Sequence, residues 1–149
     1  MTKWRLGMTV YTLVMLTMTW AYSAEMAIGQ IKTLMGAVQV IRNNVDQPAQ
    51  VGDLLEEADT IATGTNSSVG ITFIDNSRFS IGPNSRIALT QFRFNPTTHD
   101  GDFLTEMQHG TLAVISGRIA SHSPDAMKVR TPTAILGVRG TKFLVQVKE

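Results

Sequence analysis

Three histidines, a short run of acids and an arginine beside a glycine turn are the residues of this chain best suited to chemistry. His99, His109 and His122 lack the i, i+4 spacing that sets two imidazoles on one helix face, and none has a neighbouring carboxylate at ligand spacing. They read as three separate surface histidines. Asp53, Glu56, Glu57 and Asp59 make an acidic corner with some affinity for calcium, but their order is not the Asp-x-Asp-x-Asp-Gly loop, and a solvated turn is the default reading. Arg139, in Val138-Arg139-Gly140-Thr141, offers a planar fork to a partner's carboxylate or phosphate. Its alternative is an internal pair with an acid such as Asp59. The chain has no Cys, which excludes thiolate nucleophiles, disulfides and thiolate metal sites. It also lacks a G-x-S-x-G elbow and a phosphate-cradling G-x-x-x-x-G-K loop. No catalytic, metal or cofactor-binding residue is expected, and the chain is read as non-catalytic. A net charge of +1 without a basic cluster gives no reason to expect nucleic acid as a partner.

The elements that must position these residues are strands. Ile71-Thr72-Phe73, Phe79-Ser80-Ile81, Ile87-Ala88-Leu89 and Phe143 to Val147 alternate apolar and polar residues, a period that buries one face of a strand. Turn signals separate them: Asn43-Asn44, Gly64-Thr65-Asn66, Asp75-Asn76-Ser77, Gly82-Pro83-Asn84, Asn95-Pro96, Asp100-Gly101 and Ser123-Pro124-Asp125. The best helix candidate, Asp53 to Ala58, has room for one turn or an extended acidic corner. The fold class is therefore all-β. Three strand–turn units, Asp59–Gly64, Ser68–Asn76 and Arg78–Asn84, with Arg86–Phe92 as a fourth strand, suggest stacking, either as a β-solenoid-like array or as a flattened two-sheet β-roll.

Residues 1–24 differ from the rest. Lys3 and Arg5 precede an uncharged stretch from Leu6 to Trp20, and Ala21-Tyr22-Ser23-Ala24 supplies small residues before Glu25. Such a pattern describes a signal-peptide helix. An uncleaved inner-membrane anchor is the alternative, though the stretch is short of the ~20 apolar residues that span a bilayer comfortably. Either way residues 25–149 form the exported domain, and the membrane is touched through the leader alone. Removing the leader takes two of the 13 basic residues and none of the 12 acids, so the exported part turns slightly acidic.

The ordered stretches Gly36–Val40, Val51–Leu55, Ala58–Gly64, Ile71–Ser77, Ile81–Ser85, Gly110–Leu112, Val129–Ala134 and Gly137–Phe143 together resemble the FecR domain of bacterial envelope proteins. The resemblance spans residues 28–147. Its motif residues are Gly52, Asp53, Asp59, Thr63, Gly64, Asp75, Ser77, Gly82, Gly110, Thr131, Pro132, Arg139, Gly140, Thr141 and Phe143. Physically these are folding residues. Gly64, Gly82, Gly110, Gly137 and Gly140 suit positive-φ turns or close backbone approaches. Asp59, Asp75, Thr63 and Ser77 suit turns as acceptors of backbone N–H groups.

The named member of that family handles a sigma factor on one side of a membrane and receives a signal from an outer-membrane iron transporter on the other. This chain carries no cytoplasmic region ahead of its apolar segment, so the resemblance implies a stand-alone periplasmic interaction module. Its expected partner is a protein or an envelope glycan. Phe92, Phe94 and Arg139 are the candidate partner surface. The alternatives are a component of sigma-factor and iron-uptake signalling, and a structural envelope or matrix component.

Overall fold

A computed structural model describes residues 26–149. The leader, and with it the question of cleavage or anchoring, lies outside the described residues. Twelve strands and one short helix follow in order: β1 (Gly29–Met35), β2 (Val38–Arg42), β3 (Val45–Pro48), β4 (Leu54–Leu55), β5 (Thr60–Thr63), β6 (Ser68–Phe73), β7 (Arg78–Ile81), β8 (Arg86–Phe94), β9 (Gly101–Ile115), α1 (Arg118–His122), β10 (Met127–Arg130), β11 (Ile135–Gly137) and β12 (Lys142–Val147). The all-β expectation holds. Among the described residues no helix is long and apolar enough to cross a membrane.

The strands form a single curled sheet in the order β3-β2-β5-β8-β9-β7-β6-β1-β4, with β10 and β12 also paired to β9 and β11 paired to β10. It folds over itself because β9 is long enough to serve two halves. Its first part pairs β8 and β10, while its last residues, from Gly110, pair β7 and β12. The three strand–turn units and the fourth strand do not stack as successive like-oriented coils. β5 pairs antiparallel with β8, and β6 with β7, so the chain crosses from one half to the other and back. Among the described residues β9 with β10 is the one parallel pairing. Of the two arrangements expected, the two-faced roll describes the antiparallel connections better than the stacked array does.

Alternation places the core as anticipated. Ile71, Phe73, Phe79, Ile81, Ile87 and Leu89 are buried, and Val145 is the buried centre of β12. Phe73 and Phe79 from one half meet Phe92 and Phe103 from the other. Ring centroids lie 4.7 Å apart for Phe73–Phe103, edge-to-face, and 5.2 Å for Phe79–Phe103, stacked. Such pairs add about 0.5–1.5 kcal/mol beyond area burial, so this cluster is the seam that holds the two halves together.

The segment Asp53–Ala58 is not helical. It runs as β4 and then a turn in which Ala58 takes φ 69°. The helix lies instead at Arg118–His122, a stretch without apolar periodicity, and its position is set by tertiary contacts described below. Turn residues behave as their chemistry suggests, Asn43, Asn44, Asn66, Asn76 and Asn84 all adopting positive φ.

One core residue runs against the pattern. The Thr105 hydroxyl on β9 is fully buried without a hydrogen-bond partner. Thr105→Val removes an unsatisfied donor while keeping the shape, so it should raise stability by about 1 kcal/mol. The urea midpoint should rise with an unchanged m-value. A lower midpoint would show that the hydroxyl is satisfied in solution.

Candidate functional site

The motif residues gather into three hydrogen-bonded knots, each at a place where the sheet changes direction. The first sits where β9 passes from one half to the other. Thr63 Oγ1 donates to Gly82 O at 2.6 Å and accepts from Ser85 N at 3.0 Å. Ser85 Oγ donates to Gly82 O at 2.9 Å and accepts from Thr111 N at 3.0 Å. Gly64 O accepts from Asn84 N at 3.0 Å. Gly110, at φ +105°, completes the knot, and a Cβ there would lie 2.0 Å from Ser85 Oγ and 2.4 Å from Ser85 Cα. Ser85 is central here although it lies only at the end of a motif stretch in the sequence. Its signal was a small polar residue directly after a Gly-Pro-Asn turn. Gly64 departs from expectation, since it has neither a positive φ nor a close approach, its nearest neighbour lying 3.5 Å away.

In the second knot, the β6–β7 hairpin turn holds α1. Asp75 Oδ1 accepts from Ser77 N at 2.9 Å, and Asp75 Oδ2 accepts from Ser77 Oγ at 2.7 Å. Both residues are fully buried because the start of α1 covers them. Arg118 N donates to Asp75 O at 2.8 Å, and Gly117 N to Ser77 Oγ at 3.0 Å. A Cβ at Gly117 would come within 2.3 Å of Asp75 O and Ser77 N, so the close approach requires glycine. This packing, and no local helix signal, places α1.

The third knot is the acidic corner, and its carboxylates are engaged by the fold. Asp59, 1% exposed, accepts Arg42 Nε at 2.8 Å and Arg42 Nη2 at 2.7 Å, with Glu56 N on the same oxygen at 2.8 Å. Glu56 takes Arg42 Nη1 at 2.9 Å, and Glu57 accepts the Phe92 N–H at 2.7 Å. Asp53 closes its own turn by accepting Gln50 N at 2.8 Å. Gly52, at φ +98°, belongs to that turn. Among the described residues no three His, Asp or Glu side chains are placed to hold a metal ion.

Arg139 is not the partner of Asp59. It lies exposed in the loop before β12 and bonds Asp125, Nε to Oδ1 at 3.1 Å and Nη2 to Oδ2 at 2.7 Å. Arg42, a residue the motifs did not single out, takes the buried acid. It could have been found as the arginine that ends an alternating strand facing the acidic run. The Arg139 hydrogen bond holds the Asp125 carboxyl below its ordinary value, with desolvation opposing and the guanidinium charge assisting. A carboxyl depressed in the folded state contributes stability above its unfolded value of 3.8, lost as pH falls through the lower folded value. Arg139→Ala should therefore raise the Asp125 titration toward its ordinary value and remove that contribution, a deficit fully present above about pH 5 and lost as pH falls through the folded value. An NMR titration of the Asp125 carboxyl carbon reads this directly, and an unmoved midpoint would refute the pairing in solution.

The remaining expected residues divide. Thr131 caps the β10–β11 turn by accepting Ala134 N at 3.1 Å on its hydroxyl, next to Pro132. Thr141 O accepts Ser116 N at 3.0 Å, Gly140 has φ +129° in open space, and Phe143 packs half-buried against the core. Phe92 is 5% exposed in the aromatic seam, and Phe94 is half-buried against the His99 ring at 6.2 Å. The exposed two-phenylalanine patch is therefore absent, because the face those residues share is the core face. His99 and His122 are not separate. Their rings lie 6.5 Å apart, with His122 Nε2 3.0 Å from Asp100 Oδ1, because the loop after β8 folds onto the end of α1. His109 stands apart, 2.8 Å from Asn84 O.

A family model described as FecR protein matches residues 59–149. No curated protein and no solved structure matches the chain. The match begins at the buried Asp59 and takes in the Ser85–Gly110 and Asp75–Gly117 contacts, while the strands before it complete the same sheet through the β2–β5 and β1–β6 pairings. The chain belongs to the FecR protein family, whose domain is typically a periplasmic, signalling-related module.

Proposed function

We propose that this chain is an exported, non-catalytic interaction module that takes up a partner protein by strand addition along β12. One observation carries the reading: β12 is six residues long and pairs only with β9 among the described strands, leaving its other edge open. The competing edges are poorer templates. β3 carries Asp46 and ends at Pro48, β11 has three residues and β4 has two. An open edge presents unpaired N–H and C=O groups that a partner strand can satisfy, and side chains on alternate positions then select the partner. Leu144, 66% exposed at the middle of β12, is such a side chain.

A photo-reactive residue in place of Gln146 on β12 should give a discrete protein adduct in intact cells, and one in place of Asp46 on β3 should not. The same adducts from both positions, or none from either, would overturn edge pairing. Family membership favours a second, more specific reading, in which the partner belongs to a sigma-factor relay linked to iron uptake. Deleting the protein should then abolish the sigma-dependent transcriptional response to that signal; an unchanged response would remove this version while leaving strand addition untouched.

A further inference from the structure

The outer face of the half-sheet β1-β6-β7-β9-β12 differs in charge from the rest of the molecule. The chain as a whole is nearly balanced, with 13 basic and 12 acidic residues. Yet β1, β6, β7, β12 and the last part of β9, from Gly110, contain no Asp or Glu, while Lys32, Arg78 and Lys142 all lie exposed on them. Among the described residues none of the three has a carboxylate partner. Lys32 bonds only the Gln30 side-chain amide.

Between these cations the surface is low and apolar. Register sets Gly70, Ser80, Ala113 and Leu144 in one cross-strand row and Thr72, Arg78, Ile115 and Lys142 in the next. With strands about 4.8 Å apart, Arg78 and Lys142 stand roughly 10 Å from each other across Ile115. Small side chains on the first row leave a trough of about 280 Å³ with Lys32 and Arg78 on its walls and Ile115 at its end. Ile115 and Leu144 are 40% and 66% exposed. An apolar floor walled by unpaired cations complements a molecule with a hydrocarbon segment and a negative headgroup. Neither a purely polar glycan nor a free anion would use both features.

We infer that this face binds an anionic phospholipid, with an acyl segment in the Gly70–Ser80–Ala113 trough and the headgroup phosphate between Lys32 and Arg78. The assignment is independent of strand addition, whose hydrogen bonds run along the edge of β12, whereas the trough is lined by β1, β6, β7 and β9. Each cation near an anionic lipid contributes about 1 kcal/mol, or roughly fivefold in affinity.

The test titrates the full chain with dihexanoylphosphatidylglycerol below its micelle concentration and follows amide and methyl NMR signals. Shifts should centre on Gly70, Ser80 and Ala113. Lys32→Gln with Arg78→Gln should weaken binding roughly 25-fold on the same scale. Both side chains are exposed and free of carboxylates, so the fold should persist. Ala113→Leu, which fills the trough and leaves every charge in place, should also abolish those shifts. Equal binding of dihexanoylphosphatidylcholine would overturn the role of charge. Equal shifts with inorganic phosphate would reduce the site to an anion contact, and no shifts at the trough would overturn the proposal outright. Position-146 adducts surviving in the Lys32→Gln, Arg78→Gln chain would keep failure here distinct from failure of edge pairing.

Discussion

Gly110→Ala should destabilise the native sheet severely. At φ +105° a Cβ is strained whatever the surroundings, and here it would also sit 2.0 Å from Ser85 Oγ and 2.4 Å from Ser85 Cα. The hydroxyl cannot swing aside freely, because it donates to Gly82 O and accepts from Thr111 N. Left-handed strain, overpacking and the lost hydrogen bonds each cost about 1–3 kcal/mol, which together take about 4 kcal/mol or more from a typical 5–15. Because Gly110 is the residue at which β9 leaves one half of the sheet for the other, relief would require β9 to lose pairing with β12, whose last partner is Gly110. Circular dichroism and urea unfolding of Gly110→Ala beside Gly140→Ala separate the two contributions. Gly140 also has a positive φ but nothing within 4 Å, so it should lose only the conformational part. Equal stabilities for the two variants would show that the close approach is not formed.

Asp59→Ala should cost about 3 kcal/mol. The carboxylate is buried, satisfies two nitrogens of Arg42 and accepts the Glu56 N–H, so its removal leaves a half-buried guanidinium short of its partner and orphans a backbone donor. Breaking one side of a buried pair typically costs 3–5 kcal/mol, and the 29% exposure of the Arg42 side chain places this case at the lower end. Replacing both partners, as in Arg42→Met with Asp59→Leu, should recover part of the loss, because the guanidinium is then no longer left without Asp59, although Glu56 loses its bond to Arg42 and its N–H still loses Asp59 as acceptor. Urea unfolding of the two single variants and the double variant tests the coupling. Strictly additive losses would mean that the pair is not made.

These two positions also show how far the residues could be read before the fold was known. Asp59 was recognisable as a turn acid because an Asp before a strand and a Thr-Gly turn has few other uses. Asp59 is one acid that the sequence offers to Arg139, yet its partner is Arg42, since pairing across the sheet depends on which strands are neighbours. β2 lies beside β5, and Arg42 ends β2 over the corner, whereas Arg139 lies in a distant loop beside Asp125. Gly110 was legible as a residue that must be glycine, but the reason, Ser85 pressed against it, came from pairing β8 to β9. Phe92 and Phe94 were correctly placed on one strand face. Whether that face meets solvent or the other half of the sheet is a matter of how the sheet curls, and Phe92 meets Phe73 of the other half. The pair of His99 and His122 was invisible for the same reason, since a loop had to fold onto α1 before the rings could meet.

Local chemistry determined what each short segment is. Alternation with period two marked the buried strands, Asn and Asp-Asn-Ser marked their turns, the absence of Cys excluded disulfides, and the ordered motifs carried the family. These are properties of neighbours in the chain, and they survive without knowledge of the fold. Tertiary structure alone decided which strands are adjacent, because antiparallel pairing energy depends little on sequence separation and several registers satisfy the same alternation. From that adjacency came the partner of Asp59, the helix seated on Asp75, and the acid-free face that joins Lys32, Arg78 and Lys142 from three strands far apart in the sequence.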